Sequence, residues 1–74
     1  MSLPKLTPDM IDDVDVLELI SEVESGNIVK VPVLFRKLFG DDGYAAIKAS
    51  LAKDGKTKAS DLIAWFGEQA AAKN

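Results

Sequence analysis

Residues 31–66 read VPVLFRKLFGDDGYAAIKASLAKDGKTKASDLIAWF, and this stretch decides the fold because it holds every aromatic residue of the chain. Residues typical of helix ends divide it into segments. Pro32 can open one helix, and Gly40 can close it. Asp54-Gly55 can close a second helix, and Thr57 can cap a third. We therefore expect three short helices whose apolar faces share one small core.

A further helix is predicted upstream of this stretch. Four apolar residues recur at the i, i+3, i+4, i+7 spacing of one helical face: Val16, Leu19, Ile20 and Val23. Ser25-Gly26-Asn27 is typical of a helix end, since glycine adopts the left-handed cap without strain. The pattern predicts a helix over about residues 13–25.

The rest of the chain is predicted to be connecting segments. Residues 1–12 contain two prolines and no sustained period, so we expect a loose N-terminal arm. Three of the four residues 28–31 are β-branched, but they have no convincing partner strand, and we expect an extended connector. The predicted organisation is one small all-α domain over residues 13–72, built from three to four short helices.

The composition excludes several kinds of chemistry. The 74 residues include no cysteine and no histidine, which removes disulfides, thiol nucleophiles, thiolate metal sites and the usual general base. We therefore expect no enzymatic activity, no cofactor and no metal site. No apolar run approaches the roughly 20 residues that span a bilayer, and no signal core is visible. The expected location is the cytoplasm.

Short motifs that resemble known sites do not complete them. Asp54-Gly55 followed by Asp61 resembles the end of a calcium loop, but Ala52 stands at a ligand position. The Ser60-Asp61 pair is transposed relative to the phosphopantetheine site of acyl carrier proteins. Asp12, Asp13 and Asp15 suit the start of a helix better than an acid–base pair.

Charge is segregated along the sequence. Residues 1–27 carry one lysine and seven acidic residues, a net charge of −6, whereas residues 28–74 carry +3. One interpretation is that the two halves attract each other within the folded monomer. The alternative is that the acidic face of the first long helix, formed by Asp15, Glu18 and Glu22, meets a basic partner.

A second charged feature surrounds the Asp-Gly turn. Four lysines cluster there in sequence: Lys48, Lys53, Lys56 and Lys58. They favour an alternative function, a small regulatory or nucleic-acid-binding helical domain. The overall charge of −3 argues against nucleic acid, because such domains normally carry a marked basic excess.

Taken in order, the segments LELISEVESGN and PVLFRKLFGDDGYAAIKASLAKDGKTKASDLIAWFGE resemble the small tail assembly chaperones of long-tailed bacteriophages. The resemblance covers about residues 13–70. It rests on an acidic helix ending in Glu-x-Gly, a leucine-rich helix, a Gly-Asp-x-x-Tyr helix start, an Asp-Gly turn and a final amphipathic helix. The matching positions are Glu24-Ser25-Gly26, Leu34 to Leu38, Gly40-Asp41 with Tyr44, Asp54-Gly55, and Leu62 with Phe66.

This resemblance implies a non-enzymatic function in viral tail assembly, in the host cell cytoplasm. Proteins of this family bind the hydrophobic tape measure protein, keep it soluble and assist delivery of the major tail protein. Self-association is a further possibility that the sequence leaves open. Because aromatic anchors dominate interfaces, the candidate contact residues are Phe35, Phe39, Trp65 and Phe66. The competing interpretation is that these four aromatic residues form the core of the domain.

Overall fold

The computed structural model describes residues 3–71, which form a small bundle of helices. The helices are α1 (Pro8–Ile11), α2 (Val14–Glu24), α3 (Val31–Leu51) and α4 (Ala59–Ala71). No strand occurs within this described range, so the predicted all-α class is confirmed. The predicted domain boundary at residue 72 lies outside the described residues.

Both ends of helix α2 are set by residues within one turn of them. The side chain of Asp13 at the N-cap accepts a hydrogen bond from the Asp15 backbone N–H at 2.9 Å. Gly26 follows the helix with a φ of +103°, the conformation that favours glycine at a helix end. The helix therefore lies within one residue, at each end, of the predicted 13–25.

The N-terminal segment is more ordered than the expected loose arm. Leu6 is only 1% exposed, and Pro8–Ile11 form the single-turn helix α1. Thr7 at the N-cap followed by Pro8 is a sequence indication of a short helical turn at α1. The burial of Leu6 follows from no repeating pattern, because it is an isolated apolar residue between two prolines. The expectation of a loose arm therefore did not include a buried residue at this position.

The connector between α2 and α3 is also different from the prediction. Residues Ile28–Lys30 form a 3-10 turn, in which the Lys30 N–H donates to the Asn27 carbonyl at 3.1 Å. The expectation of an extended connector is wrong here. In the absence of a partner strand, a tight turn satisfies the backbone locally and lets Val31 enter the core at the start of α3.

Helix α3 is broken at Gly40, as predicted. Gly40 has φ 75° and ψ 174°, a conformation essentially restricted to glycine, and helical structure resumes immediately after it. The two halves, residues 31–39 and 41–51, correspond to the two helices predicted from the sequence. The break redirects the chain so that Phe35 in the first half and Tyr44 in the second half both pack in the core.

The predicted end of this second half at Asp54-Gly55 is wrong. Helix α3 ends at Leu51, and Asp54-Gly55 form a two-residue turn with φ values of +54° and +81°. Lys53 and Lys56 exchange backbone hydrogen bonds across this turn, at 2.8 and 3.1 Å.

Thr57 has a different role from the predicted cap of α4. Its hydroxyl donates to the Lys48 carbonyl at 2.8 Å, so it satisfies a carbonyl in the last turn of α3. The following helix, α4, then begins at Ala59. The bond ties the connecting loop to the end of α3.

The core lies where α2 and α4 pack on α3. Phe35 is at its centre, with ring centroids 5.8 to 6.2 Å from those of four other aromatic residues. Those residues are Phe39, Tyr44, Trp65 and Phe66. Val31, Ile47 and Leu62 are the other buried residues of this cluster, beside the buried Phe35, Tyr44 and Trp65. The aromatic residues of the opening stretch therefore meet in one core, as the sequence predicts.

Candidate binding groove

The four aromatic candidates occupy different environments. Phe35 is 1% exposed and Trp65 is 8% exposed, so neither presents its ring to a partner in this structure. Phe39 and Phe66 are half-buried and pack against the same core. Phe35 and Trp65 are thus core residues, whereas Phe66 packs on the core and is also partly exposed at the surface.

The acidic candidates lie on the outer face of α2. Asp15 and Glu18 are exposed, and Glu22 is half-buried. Lys37 of α3 lies 3.8 Å from the Asp15 carboxylate and 4.0 Å from that of Asp13. The acidic and basic halves of the chain therefore do meet at this point. Exposed pairs of this kind contribute about 1 kcal/mol at most, so they orient α2 only weakly.

The four lysines do not form one uniform patch. The Lys48 ammonium lies 4.5 Å from the centre of the Tyr44 ring, a cation–π contact that holds the side chain against the domain. Lys53, Lys56 and Lys58 are exposed around the Asp-Gly turn. Three freely exposed cations remain available to a ligand, next to the carboxylate of Asp54.

An apolar groove of about 260 Å³ opens between α2 and α4. We call it the α2–α4 groove. Its floor is formed by Val31, Leu34 and Phe35 of α3. Its walls are formed by Ile20, Val23 and Glu24 of α2 and by Ile63, Phe66, Gly67 and Ala70 of α4.

The groove exists because α2 and α4 each pack on α3 and leave a gap between themselves. In α2, only Val16 is fully buried, and the rest of the apolar face, including Ile20 and Val23, is half-exposed. In α4, the wall carries small residues at Gly67 and Ala70. A Cβ placed on Gly67 would meet no atom within 4 Å, so this position opens directly onto the groove.

The sequence prediction missed this groove. The sequence places Ile20 and Val23 on one apolar helical face but does not show that this face is half-exposed, and Ile63, which is 38% exposed, is not singled out. The available indication was the i, i+3, i+4, i+7 spacing of Ile63, Phe66, Gly67 and Ala70, a helical face that narrows from large to small residues.

A second concavity of about 260 Å³ lies between residues 50–53 and α4, and its lining includes the charged residues Lys53, Asp61 and Glu68. Within residues 3–71, no three acidic side chains are grouped so that they could hold a metal ion. No helix in this range is both long enough and apolar enough to cross a bilayer. The α2–α4 groove differs from the second concavity in its lining, which is apolar apart from Glu24 and therefore suits recognition of an apolar side chain.

Comparisons of the chain with protein-family models, with curated proteins and with solved structures give no match.

Proposed function

We propose that this chain is a non-enzymatic binding module that covers an apolar helical segment of a partner protein in its α2–α4 groove. The observation that carries the proposal is the open, almost wholly apolar groove itself. By the resemblance described above, the module is a tail assembly chaperone and the partner is a phage tape measure protein. The major tail protein is a second partner on the same grounds, and the host cytoplasm is the place of assembly.

The physical basis of the proposal is the burial of apolar surface. Ile20, Val23 and Ile63 leave part of their side chains in water, and covering such surface contributes about 25 cal/mol per Å². A long helical tape measure protein exposes apolar stripes that aggregate unless covered. A small domain with an apolar groove can cover one section of a stripe and release it later.

The residues proposed to contact the partner are accordingly those on the groove walls. Phe66 remains a candidate, and Ile20, Val23 and Ile63 join it. Phe35 contributes only to the floor, and Trp65 acts through the core that supports α4. Phe39 packs beside Trp65, at 5.7 Å between ring centres, outside the groove.

The acidic face of α2 has a separate part in this proposal. Asp15, Glu18 and Glu22 recur at i, i+3 and i+7, whereas the groove is lined by residues 20, 23 and 24 of the same helix. These carboxylates therefore lie away from the apolar contact. Their proposed role is to attract a basic region of the partner and so to increase the rate of association.

The test is co-expression with the tape measure protein encoded in the same genome. We expect the wild-type chain to keep that protein soluble and to be recovered with it in a pull-down. Ile63→Asp places a charge on the groove wall and should abolish both effects. Val29→Asp is the matched control, since Val29 is 73% exposed and does not line the groove. Unimpaired recovery with Ile63→Asp would refute the proposal.

The alternative function is that of a regulatory or nucleic-acid-binding domain that uses Lys48, Lys53, Lys56 and Lys58. The exposure of the last three around one turn is the observation in its favour. The salt dependence of the binding affinity distinguishes the two functions. Affinity for nucleic acid falls steeply as the salt concentration is raised, whereas apolar contacts do not weaken in this way. Binding of duplex or single-stranded oligonucleotides that disappears in Lys53→Gln/Lys56→Gln would favour the alternative.

A further inference from the structure

We infer that the α2–α4 groove recognises a helix that presents two bulky apolar side chains one turn apart, with a basic residue beside them. This inference rests on the proposed function and specifies the chemistry of the partner at the same site. It follows from the volume of the groove, the nature of its walls, the position of Gly67 and the charge of Glu24.

The volume sets the number of side chains. An engineered cavity of about 150 Å³ accepts one benzene-sized ring. The groove, at about 260 Å³, therefore has room for about two side chains of leucine or phenylalanine size.

The walls select a helix over an extended strand. Both walls are α-helices, whose backbone groups are bonded within the helix and cannot pair with a strand. The wall of α4 from Ile63 to Ala70 runs for about 10 Å. Residues one turn apart on a helix present side chains about 5–6 Å apart, so two anchors fit along this wall.

Gly67 is the position at which the occupant can approach the backbone of α4 most closely. It lies on the groove wall between Phe66 and Ala70 along the α4 face, and the space beyond its Cα is open. One anchor of the partner helix can therefore rest against the bare backbone of α4. A large side chain at position 67 would occupy that space without disturbing the core.

Glu24 sets the charge of the occupant. It is exposed, and it is the charged residue among those that line the groove in the described part of the chain. A basic side chain next to the two apolar anchors would pair with its carboxylate at the rim. An acidic side chain in the same place would be repelled.

The test uses designed peptides in place of the natural partner. The first peptide is an 18-residue alanine-rich helix with two leucines at i and i+4 and one adjacent lysine. The second moves one leucine to the opposite face of the helix, and the third replaces the lysine with glutamate. Fluorescence anisotropy of labelled peptides gives Kd for each, at about 0.15 M salt.

We expect the first peptide to bind about tenfold more tightly than the second, since only the first buries both leucines together. Gly67→Leu should weaken the first peptide by about tenfold or more. Ala64→Leu, an exposed position on the same helix outside the groove, is the matched control and should leave Kd unchanged. Glu24→Lys should favour the third peptide over the first. Asp42→Lys, at an exposed acidic position of α3 outside the groove, should not reverse the order.

Circular dichroism of each variant verifies folding. Equal affinity for the first two peptides would overturn the paired-anchor inference, even if Ile63→Asp still abolished partner recovery and the proposed function stood. Unchanged binding of the first peptide by Gly67→Leu would also overturn it. Sedimentation of the chain alone tests another occupant: a dimer that Gly67→Leu dissociates would identify a second copy as the ligand and overturn the inference.

Discussion

Replacing Phe35 with alanine is expected to remove most of the stability of this domain. Phe35 is 1% exposed and contacts four other aromatic rings, so little of the surrounding structure can collapse into the space it leaves. Phe→Ala changes in cores cost about 3–5 kcal/mol, and the central position of Phe35 places it in the upper part of that range. A domain of 74 residues has a free energy of unfolding of about 4–11 kcal/mol.

Urea unfolding measures this loss. Circular dichroism reports the helices, and the fluorescence of Trp65 reports the core, because the Trp65 ring centre lies 6.0 Å from that of Phe35. With a slope of about 1 kcal/mol per M, the midpoint should fall by about 3–5 M or the variant should be unfolded in water.

Two matched variants make the expectation specific. Phe39→Ala should cost less than Phe35→Ala, because Phe39 is only half-buried, although it packs on the same core. Val29→Ala should change stability by no more than about 0.5 kcal/mol, because Val29 is largely exposed. A Phe35→Ala variant that loses less than about 1.5 kcal/mol, or less than Phe39→Ala, would refute the assignment of Phe35 to the centre of the core.

Three further outcomes follow from the backbone and the surface. Gly67→Ala should stabilise the domain by up to about 1 kcal/mol, because the position is helical and open, and thermal unfolding should show a rise in Tm of a few degrees. Gly40→Ala should destabilise the domain by about 1–3 kcal/mol in the same assay, because the φ and ψ of Gly40 suit only glycine even though the space around it is open. A neutral effect would contradict the observed break in α3. Neutralising Asp15, Glu18 and Glu22 together should slow association with the tape measure protein at low salt, as followed by stopped-flow fluorescence. The difference in rate from the wild-type chain should fade at high salt, and equal rates at low salt would exclude the electrostatic role.

The helices that the sequence predicts best are those that begin or end through local chemistry. Asp13 and Gly26 bound α2, and Gly40 divides α3, because caps and positive φ values depend on residues within one turn. The same reasoning failed at Thr57. A threonine hydroxyl can satisfy either the helix that follows or the one that precedes, and here it donates to the carbonyl of Lys48.

The sequence by itself determined that this protein is all-α, that its longest helix is broken at Gly40, and which residues lie on the apolar face of a helix. It did not determine which of those faces are covered. Val16 and Ile20 both belong to the apolar face predicted for α2, yet Val16 is buried whereas Ile20 is half-exposed and lines the groove. Helical periodicity assigns a residue to a face, whereas its burial depends on how α2 and α4 pack across α3. That arrangement arises from contacts between helices and was decided by the tertiary structure alone.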